Sequence, residues 1–264
     1  MFACIFLSSV VLIAYGLPVE IAKPTKQVNP ELLGGGFEGD MILPPGFDPL
    51  HPNRGVSING QIRRWPNKIV PYDISAISDS RDRQTIELAM QKLMYDTGIT
   101  KPGQTSRTSC VTFRPAQSTD RKVLKIQYGT GCSASVGYNT NYPNTVRLQR
   151  NGCFRNGIIQ HELAHVLGFF HEQSRPDRDQ YLTVHYENIQ QGMAFNFQKY
   201  SWGTQVENQG STYDYNSLMH YGRNDFTKNG KPTLTPRTAG AQIGQREKLS
   251  PIDIAEIRRY YNCS

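Results

Sequence analysis

Residues 161–171 bring together side chains that can bind a metal ion and carry out chemistry at it. On a helix, His161 and His165 lie on one face and can direct ring nitrogens to one point, with Glu162 beside them. Gly168 can adopt the left-handed conformation that ends a helix, which would let the chain turn back and bring His171 to the same point. Three neutral imidazoles with a fourth position left open are typical of catalytic zinc, whereas structural zinc is usually closed by four protein ligands. The stretch therefore predicts one catalytic Zn²⁺ bound by His161, His165 and His171.

The complete spacing, H-E-x-x-H-x-x-G-x-x-H, is far more specific than two histidines on a polar helix face. It adds a glycine and a third histidine at fixed positions, and three of the six histidines of the chain fall inside it. This pattern is the zinc-binding signature of the metzincin proteases. Glu162 is not a ligand in that pattern, and we predict that it is the general base that takes a proton from water.

The first sixteen residues are typical of a secretory signal. The run from Phe2 to Tyr15 is largely apolar, and the small residues Ala14 and Gly16 suit cleavage after Gly16. This run is too short to cross a bilayer as a helix. We therefore predict an exported protein without a membrane anchor, with residues 1–16 as its signal peptide.

The cysteine count agrees with export. Four cysteines follow the signal, an even number that suits two disulfides in an oxidising compartment. No two of them have the C-x-x-C spacing of a zinc ribbon or redox pair. Three pairings are possible from the sequence alone for Cys110, Cys132, Cys153 and Cys263.

Residues 17–54 differ from the rest of the chain. They are rich in proline, include three consecutive glycines at 34–36, and show no helical or strand period. Such a segment cannot build its own core, so it is either a disordered tail or an extended segment that lies across another domain. Arg54 near its end could be cut by a trypsin-like protease. We predict a propeptide at 17–54 and one catalytic domain at 55–264.

The patterns after residue 55 predict an α+β domain. Strands are predicted at 69–75, 111–113 and 123–128, and a helix begins at Asp79 or Ser80 and ends at Gly98. A second helix at 156–167 carries the zinc motif. The later residues are irregular until Ser250-Pro251, which open a last helix that ends near Tyr261. This order predicts a mixed sheet with helices in the first half and an irregular second half that ends in a helix.

Charge adds little to these predictions. The formal net charge is +7, and we find neither a phosphate-binding loop nor a block of basic and aromatic residues. We therefore expect no nucleic-acid partner.

Several motifs together resemble the astacin family of secreted zinc endopeptidases. Residues 161–179 (HELAHVLGFFHEQSRPDRD) and 217–221 (SLMHY) carry the closest likeness. Further similarity lies at 65–72 (WPNKIVPY), 131–137 (GCSASVG), 249–263 and, in the propeptide, 37–40 (FEGD), which is similar to the FxGD element of the family. The resemblance implies a metzincin, zincin-like catalytic domain, and this chain looks like the minimal, single-domain members.

The resemblance also implies roles for particular residues. Met219 would form the turn that supports the metal site, and Tyr221 would bind zinc in the resting enzyme and stabilise the oxyanion during turnover. Asp40 would occupy the open zinc position of the latent precursor. Glu172 would meet the new amino terminus that processing creates. His220 points away from Tyr221 if this segment is extended, so we interpret it as structural.

The disulfides that the resemblance implies are Cys110 with Cys263 and Cys132 with Cys153.

Two functions are consistent with these residues. The first is a secreted, monomeric zinc endopeptidase that acts on protein or peptide substrates and is made as a latent zymogen activated by cleavage near Arg54. The alternative is a non-catalytic binding protein on the same fold. Glu162 together with three histidines and Tyr221 favours the enzyme, because a binding protein does not need the base.

Overall fold

The computed structural model describes residues 29–44, 64–203, 206–207 and 209–263. The predicted signal at 1–16, the cleavage site at Arg54 and the start of the catalytic domain lie outside these residues. The described part of the predicted propeptide, residues 29–44, is called the prosegment below. The strands are β1 (Met41–Ile42), β2 (Ile69–Asp73), β3 (Thr112–Pro115), β4 (Leu124–Tyr128), β5 (Cys132–Ser135), β6 (Asn144–Leu148), β7 (Leu182–Val184) and β8 (Leu234–Pro236), and the helices are α1 (Ser80–Thr97), α2 (Asn156–Val166) and α3 (Pro251–Tyr260).

A six-stranded mixed sheet forms the first half of the fold. Its strand order is β1-β5-β6-β4-β2-β3, in which only the β5–β6 pair is antiparallel. The prosegment supplies the edge strand β1, which pairs with β5 so that Met41 lies opposite Ala134 and Ile42 opposite Ser135. The prosegment is thus an extended segment laid along the catalytic domain, which is one of the two alternatives left open by its sequence.

Strand β6 was not predicted, because a polar residue interrupts its apolar side. Val146 and Leu148 point inward and are buried, but the inward position before them is Asn144. The Asn144 side chain accepts a hydrogen bond from Asn139 N at 2.9 Å and donates one to Asn139 O at 3.1 Å. Those bonds satisfy the buried amide locally and allow it to replace an apolar residue.

Helix α1 agrees with its prediction. Asp79 caps it by accepting a hydrogen bond from Arg81 N at 2.9 Å, and the helix stops before Gly98. One face packs against α2 and the main core. The fully buried apolar residues of that face are Ile86, Ala89, Met90 and Leu93.

The carboxyl end of α2 is held by two aromatic side chains. Trp65 Nε1 donates to Val166 O at 2.8 Å, and the Tyr261 hydroxyl donates to Leu167 O at 3.0 Å. These bonds satisfy carbonyls that have no partner within the helix. They also attach α2, which carries the predicted zinc motif, to both ends of the catalytic domain.

The second half is irregular, as predicted. It consists of short 3₁₀ turns, the two-stranded pair β7–β8 and the last helix, α3. Ser250 and Asp253 form a capping box at the start of α3.

Disulfides join Cys110 to Cys263 and Cys132 to Cys153, which is the pairing implied by the resemblance.

In the described part of the chain, no helix has both the length and the apolar character needed to cross a membrane.

Candidate metal centre

His161 and His165 project from the same face of α2, and the chain turns at Gly168 to bring His171 beside them. The φ angle of Gly168 is +106°, and its N–H donates to His165 O at 2.8 Å. The three ring centroids lie 4.7 to 5.3 Å apart, and all three side chains are buried. The helical spacing and the glycine turn therefore bring the imidazoles together, as their order in the sequence suggested.

Backbone carbonyls set the tautomers of His161 and His165. The Nδ1 atom of His161 is 2.9 Å from Leu218 O, and that of His165 is 2.7 Å from Phe169 O. Because a carbonyl oxygen can only accept, each Nδ1 carries the proton and donates it. The lone pair of each Nε2 is then directed toward the shared centre, which is the arrangement found around metal-binding histidines.

The carboxylate of Asp40 lies at the point where the three Nε2 atoms converge. Its Oδ2 is 3.1 Å from His161 Nε2, and its Oδ1 is 3.4 Å from His165 Nε2 and 3.3 Å from His171 Nε2. Burial disfavours the charged form of Asp40, but His171 and then His165 outweigh this effect and hold its pKa well below the ordinary value. The prosegment thus places an anionic oxygen donor among the imidazoles.

The chemistry of this cluster fits a zinc ion. The ligand atoms of the four residues lie within 4.8 Å of one another. Asp40 Oδ1 and His165 Nε2 are buried without a hydrogen-bond partner, a costly situation that a shared cation would relieve. Three imidazole nitrogens and one carboxylate oxygen form a suitable tetrahedral donor set for zinc. His161, His165 and His171 could hold the ion, with Asp40 in the fourth position.

Glu162 lies beside this cluster with both carboxylate oxygens unbonded. The side chain is fully buried, and neither oxygen has a hydrogen-bond partner among the described residues. Burial, followed by the charges of Asp40 and Glu31, raises the pKa of Glu162 well above its ordinary value. A carboxyl group with a raised pKa and free lone pairs is suited to accept and return a proton.

Glu38 of the prosegment contacts the third histidine and Tyr221. Its Oε2 accepts from His171 Nδ1 at 2.8 Å, and its Oε1 accepts from Ser174 Oγ at 2.6 Å and from the Tyr200 hydroxyl at 2.8 Å. The Tyr221 hydroxyl donates to the backbone oxygen of Glu38 at 2.6 Å. The prosegment therefore engages the Tyr221 hydroxyl, and the role of Tyr221 at zinc in the resting enzyme stays a prediction.

The turn at Met219 is held between the metal cluster and α3. Met219 is buried, and its carbonyl accepts from Glu172 N at 3.1 Å. The Asp253 carboxylate accepts from Ser217 Oγ at 2.7 Å and from Leu218 N at 2.8 Å. Since the carbonyl of Leu218 orients His161, these bonds connect the start of α3 to one of the metal-binding side chains.

Glu172 lines a small cavity behind the histidines. Its Oε1 accepts from Asp214 N at 2.8 Å and lies 3.5 Å from Arg175 Nη1. Burial raises the pKa of Glu172 well above its ordinary value. The cavity is also lined by Asp253 and Glu256. The predicted contact of Glu172 with a new amino terminus involves residues outside the described ranges and stays a prediction.

His220 is a structural residue in this arrangement. Its Nδ1 donates to Tyr221 O at 2.7 Å, and its Nε2 accepts from the Tyr213 hydroxyl at 2.7 Å. Burial lowers its pKa to about 3, so the ring is neutral at physiological pH. Both ring nitrogens are used in these bonds, which agrees with the interpretation from sequence.

Sequence reasoning missed the contacts of Glu31, Glu38 and Arg246. Arg246 Nη2 lies 2.7 Å from Glu31 Oε2, and Arg246 Nη1 donates to His220 O at 2.9 Å. Glu38 carried one signal, a carboxylate within the motif at 37–40. Nothing in the spacing of Glu31 and Arg246 connects two residues 215 positions apart.

The structure combines a mixed sheet, a helix that carries two of three converging histidines, and a methionine turn beside them. Together these features define the class of zinc metallopeptidases. The chain belongs to the Astacin family of peptidases, whose family model matches residues 57–262. Zinc is accordingly the metal of this centre.

Individual relatives agree with this assignment. The chain is 38% identical over 207 residues to zinc metalloproteinase nas-15 of Caenorhabditis elegans, which covers 78% of this chain and 34% of that protein. It is 38% identical over 235 residues to the low choriolytic enzyme of Oryzias latipes, with coverage of 86% and 78%. The chain thus spans about a third of the first relative and most of the second.

A solved structure is also similar. The fold matches high choriolytic enzyme 1, a hatching enzyme zinc-protease of Oryzias latipes (medaka), with a TM-score of 0.67 and 34% sequence identity. The match covers 80% of this chain and 98% of that one. This similarity agrees with the α+β zincin-like architecture described above.

Proposed function

We propose that this protein is a zinc-dependent endopeptidase that cleaves protein or peptide substrates and is made as a latent precursor. The observation that carries the proposal is the convergence of three Nε2 atoms on a buried carboxylate, with the unbonded carboxyl group of Glu162 alongside. A purely structural metal site would not require a free base beside it. Membership in a peptidase family supports the same conclusion.

Different residues of the chain have different roles in the proposed reaction. Zinc, when bound by the three histidines, would supply Lewis acidity and lower the pKa of water. Glu162 takes a proton from the attacking water and returns it to the leaving amine. The Tyr221 hydroxyl, once released from Glu38, can donate a hydrogen bond to the substrate oxygen as negative charge develops on it. Leu218 and Phe169 keep two of the imidazoles in the correct tautomer.

Latency follows from the position of the prosegment. Asp40 fills the place that a catalytic site leaves for water and substrate, and β1 covers the edge of β5. Removal of the prosegment by a protease that cuts near Arg54 would open both the position that Asp40 fills and the edge of β5. Processing would also supply the amino terminus that we propose as the partner of Glu172 in its cavity.

Export is part of the proposal. The apolar run at 1–16 and the two disulfides support secretion into an oxidising environment. We further propose that the processed protein acts as a monomer, without a membrane anchor or nucleic-acid partner.

A casein digest with the processed protein tests the activity. We expect cleavage that stops when a chelator removes the metal and returns when zinc is added. A folded, zinc-containing, processed protein that leaves casein intact would favour the alternative, a non-catalytic binding protein on this fold.

A further inference from the structure

One face of the six-stranded sheet carries positive charge. On β4, Leu124 and Ile126 are buried in the main core, and Lys125 between them is exposed. On β6, Arg147 is exposed between buried neighbours in the same way. Because successive side chains of a strand point to opposite faces, both cations lie on the face that is turned away from the core.

The strand register places these two cations close together. Lys125 lies opposite Thr145, and Arg147 lies opposite Gln127 in the β4–β6 pair. Neighbouring strands are about 4.8 Å apart and rise about 3.3 Å per residue, so the Cα atoms of Lys125 and Arg147 are about 8 Å apart. Asp73 of β2 lies opposite Lys125, so this cation has one acidic neighbour.

Strand β3 and the loop that follows it add three more cations. Phe113 is buried in the main core, so the next residue, Arg114, lies on the outer face. Arg121 is exposed and Lys122 is half-buried, and both line one cavity with Arg114. The basic face, as the term is used below, consists of Arg114, Arg121, Lys122, Lys125 and Arg147.

Most of this charge is not neutralised within the protein. Asp120 binds Arg114 through two hydrogen bonds of 2.6 and 2.8 Å, and these bonds hold the pKa of Asp120 at about 2. The side chains of Arg121, Lys122 and Arg147 form no ion pair with any residue in the described ranges. Three positive charges on this face are therefore available to an anionic ligand.

We propose that the basic face binds the sulfate groups of a sulfated polysaccharide. Sulfate groups stay anionic at every physiological pH and recur along a flexible polymer, so one chain can reach several of these cations. Thr145 and Gln127 lie on the same face and can exchange hydrogen bonds with sugar hydroxyls. The inference rests on the export that is part of the proposed function, because sulfated polysaccharides lie outside cells.

The composition of the face argues against other anionic partners. A membrane surface or a protein interface requires apolar anchors, and single-stranded nucleic acid requires exposed aromatic rings for stacking. None of the exposed large apolar side chains in the described part of the chain belongs to the outer face of β2, β3, β4 or β6, or to the loop between β3 and β4. Those side chains are Leu33, Leu88, Tyr95, Tyr186, Phe195 and Trp202. A polar, flexible polyanion fits this surface best.

The basic face is separate from the edge of the sheet that the prosegment occupies. In the strand order, β1 of the prosegment lies at one edge of the sheet and β3 lies at the other. Removal of the prosegment uncovers β5, and it leaves β4, β2 and β3 as they are. The precursor and the processed protein should therefore bind the polysaccharide equally.

Fluorescence anisotropy with a labelled heparin decasaccharide tests the inference on the full-length precursor. We expect binding that weakens steadily from about 50 to about 300 mM NaCl, because the bound polyanion releases counterions. The triple variant Arg121→Gln/Lys122→Gln/Arg147→Gln should raise Kd at least about tenfold, since three exposed charge contacts of modest strength are lost together. The slope of log Kd against log salt should also become shallower.

A second triple variant is the matched control. Lys228, Lys231 and Lys248 are exposed and lie in the second half of the fold, away from the sheet. Their replacement by glutamine removes the same three charges, so it separates a local site from an effect of net charge. We expect Kd within about twofold of the parent, and thermal unfolding confirms that both triple variants are folded.

Three results would overturn the inference. The first is absence of binding, or equal binding of a desulfated decasaccharide. The second is an equal loss of affinity in the two triple variants. The third is binding of duplex DNA or polyphosphate that is as tight as that of heparin and equally sensitive to the first variant. Failure of the peptidase would appear separately in the casein digest, and failure of export would appear in the culture medium, since neither affects binding by the purified chain.

Discussion

Glu31 of the prosegment and Arg246 of the catalytic domain form a buried ion pair, with Arg246 Nη2 2.7 Å from Glu31 Oε2. Their side chains are 2% and 11% exposed. This pair fixes the prosegment at a place nine residues before Asp40. The prosegment is thus held by charge at two points, the metal cluster and Arg246, and each point can be tested alone.

The Glu31–Arg246 pair should make the stability of the full-length chain depend on acid. Burial opposes the charged form of Glu31, but Arg246 outweighs burial and lowers its pKa below 4.5. A carboxyl whose pKa falls on folding adds stability that is complete above its unfolded pKa and is lost as the pH falls through its folded pKa. We expect the free energy of unfolding to decline below pH 4.5, less steeply in Glu31→Gln.

Chemical denaturation between pH 3 and pH 7 measures this effect. At pH 7, Glu31→Gln should lower the free energy of unfolding by about 3 kcal/mol, because Arg246 is left buried without its counter-charge. Equal acid dependence in Glu31→Gln and the unchanged chain would show that the pair does not contribute to the pH response.

Asp40→Ala should make the full-length chain active before any processing. Without the carboxylate, the fourth position among the histidines becomes open to water and substrate. The measurement is casein cleavage by the uncut precursor, with its size checked by mass spectrometry. Glu187→Ala, which removes a carboxylate that is 72% exposed, should stay latent. If the Asp40→Ala precursor is as inactive as the parent, Asp40 is not the switch.

Glu162→Gln should separate metal binding from catalysis. The variant keeps all three histidines, so its zinc content measured by mass spectrometry should match that of the parent. We expect kcat/KM to fall by about 10²–10⁴-fold, the usual contribution of a general acid–base group. His165→Ala is the comparison, and it should lose both zinc and activity. Unchanged kcat/KM in Glu162→Gln would mean that another group is the base.

The two disulfides should differ in their effect on stability. They close segments with sequence separations of 153 and 21 residues. Replacing both Cys110 and Cys263 by serine should lower the free energy of unfolding by about 5 kcal/mol, against about 3 kcal/mol for Cys132 and Cys153, because a longer loop gains more entropy in the unfolded chain. Thermal unfolding of the two double variants makes the comparison, and a larger loss for Cys132 and Cys153 would contradict it.

The sequence by itself determined the elements whose information is local. The four-residue spacing of His161 and His165, the glycine turn and His171 act within eleven positions, so helix geometry alone brings these side chains together. The cap at Asp79 and the capping box of Ser250 likewise act within one turn of helix. For this reason the three long helices and the histidine cluster agree with their predictions.

The tertiary structure alone decided which distant groups meet. No period or spacing relates Glu38 to Ser174 and Tyr200, because their contacts depend on the path of the prosegment through the cleft. Strand β6 was missed for a related reason: Asn144 is polar by type, and the partners that allow its burial are set by the fold of its loop. The pattern of apolar and polar side chains indicates which face of a helix or strand is buried. Contacts between residues on opposite sides of the cleft form only when elements that are distant in the sequence pack together.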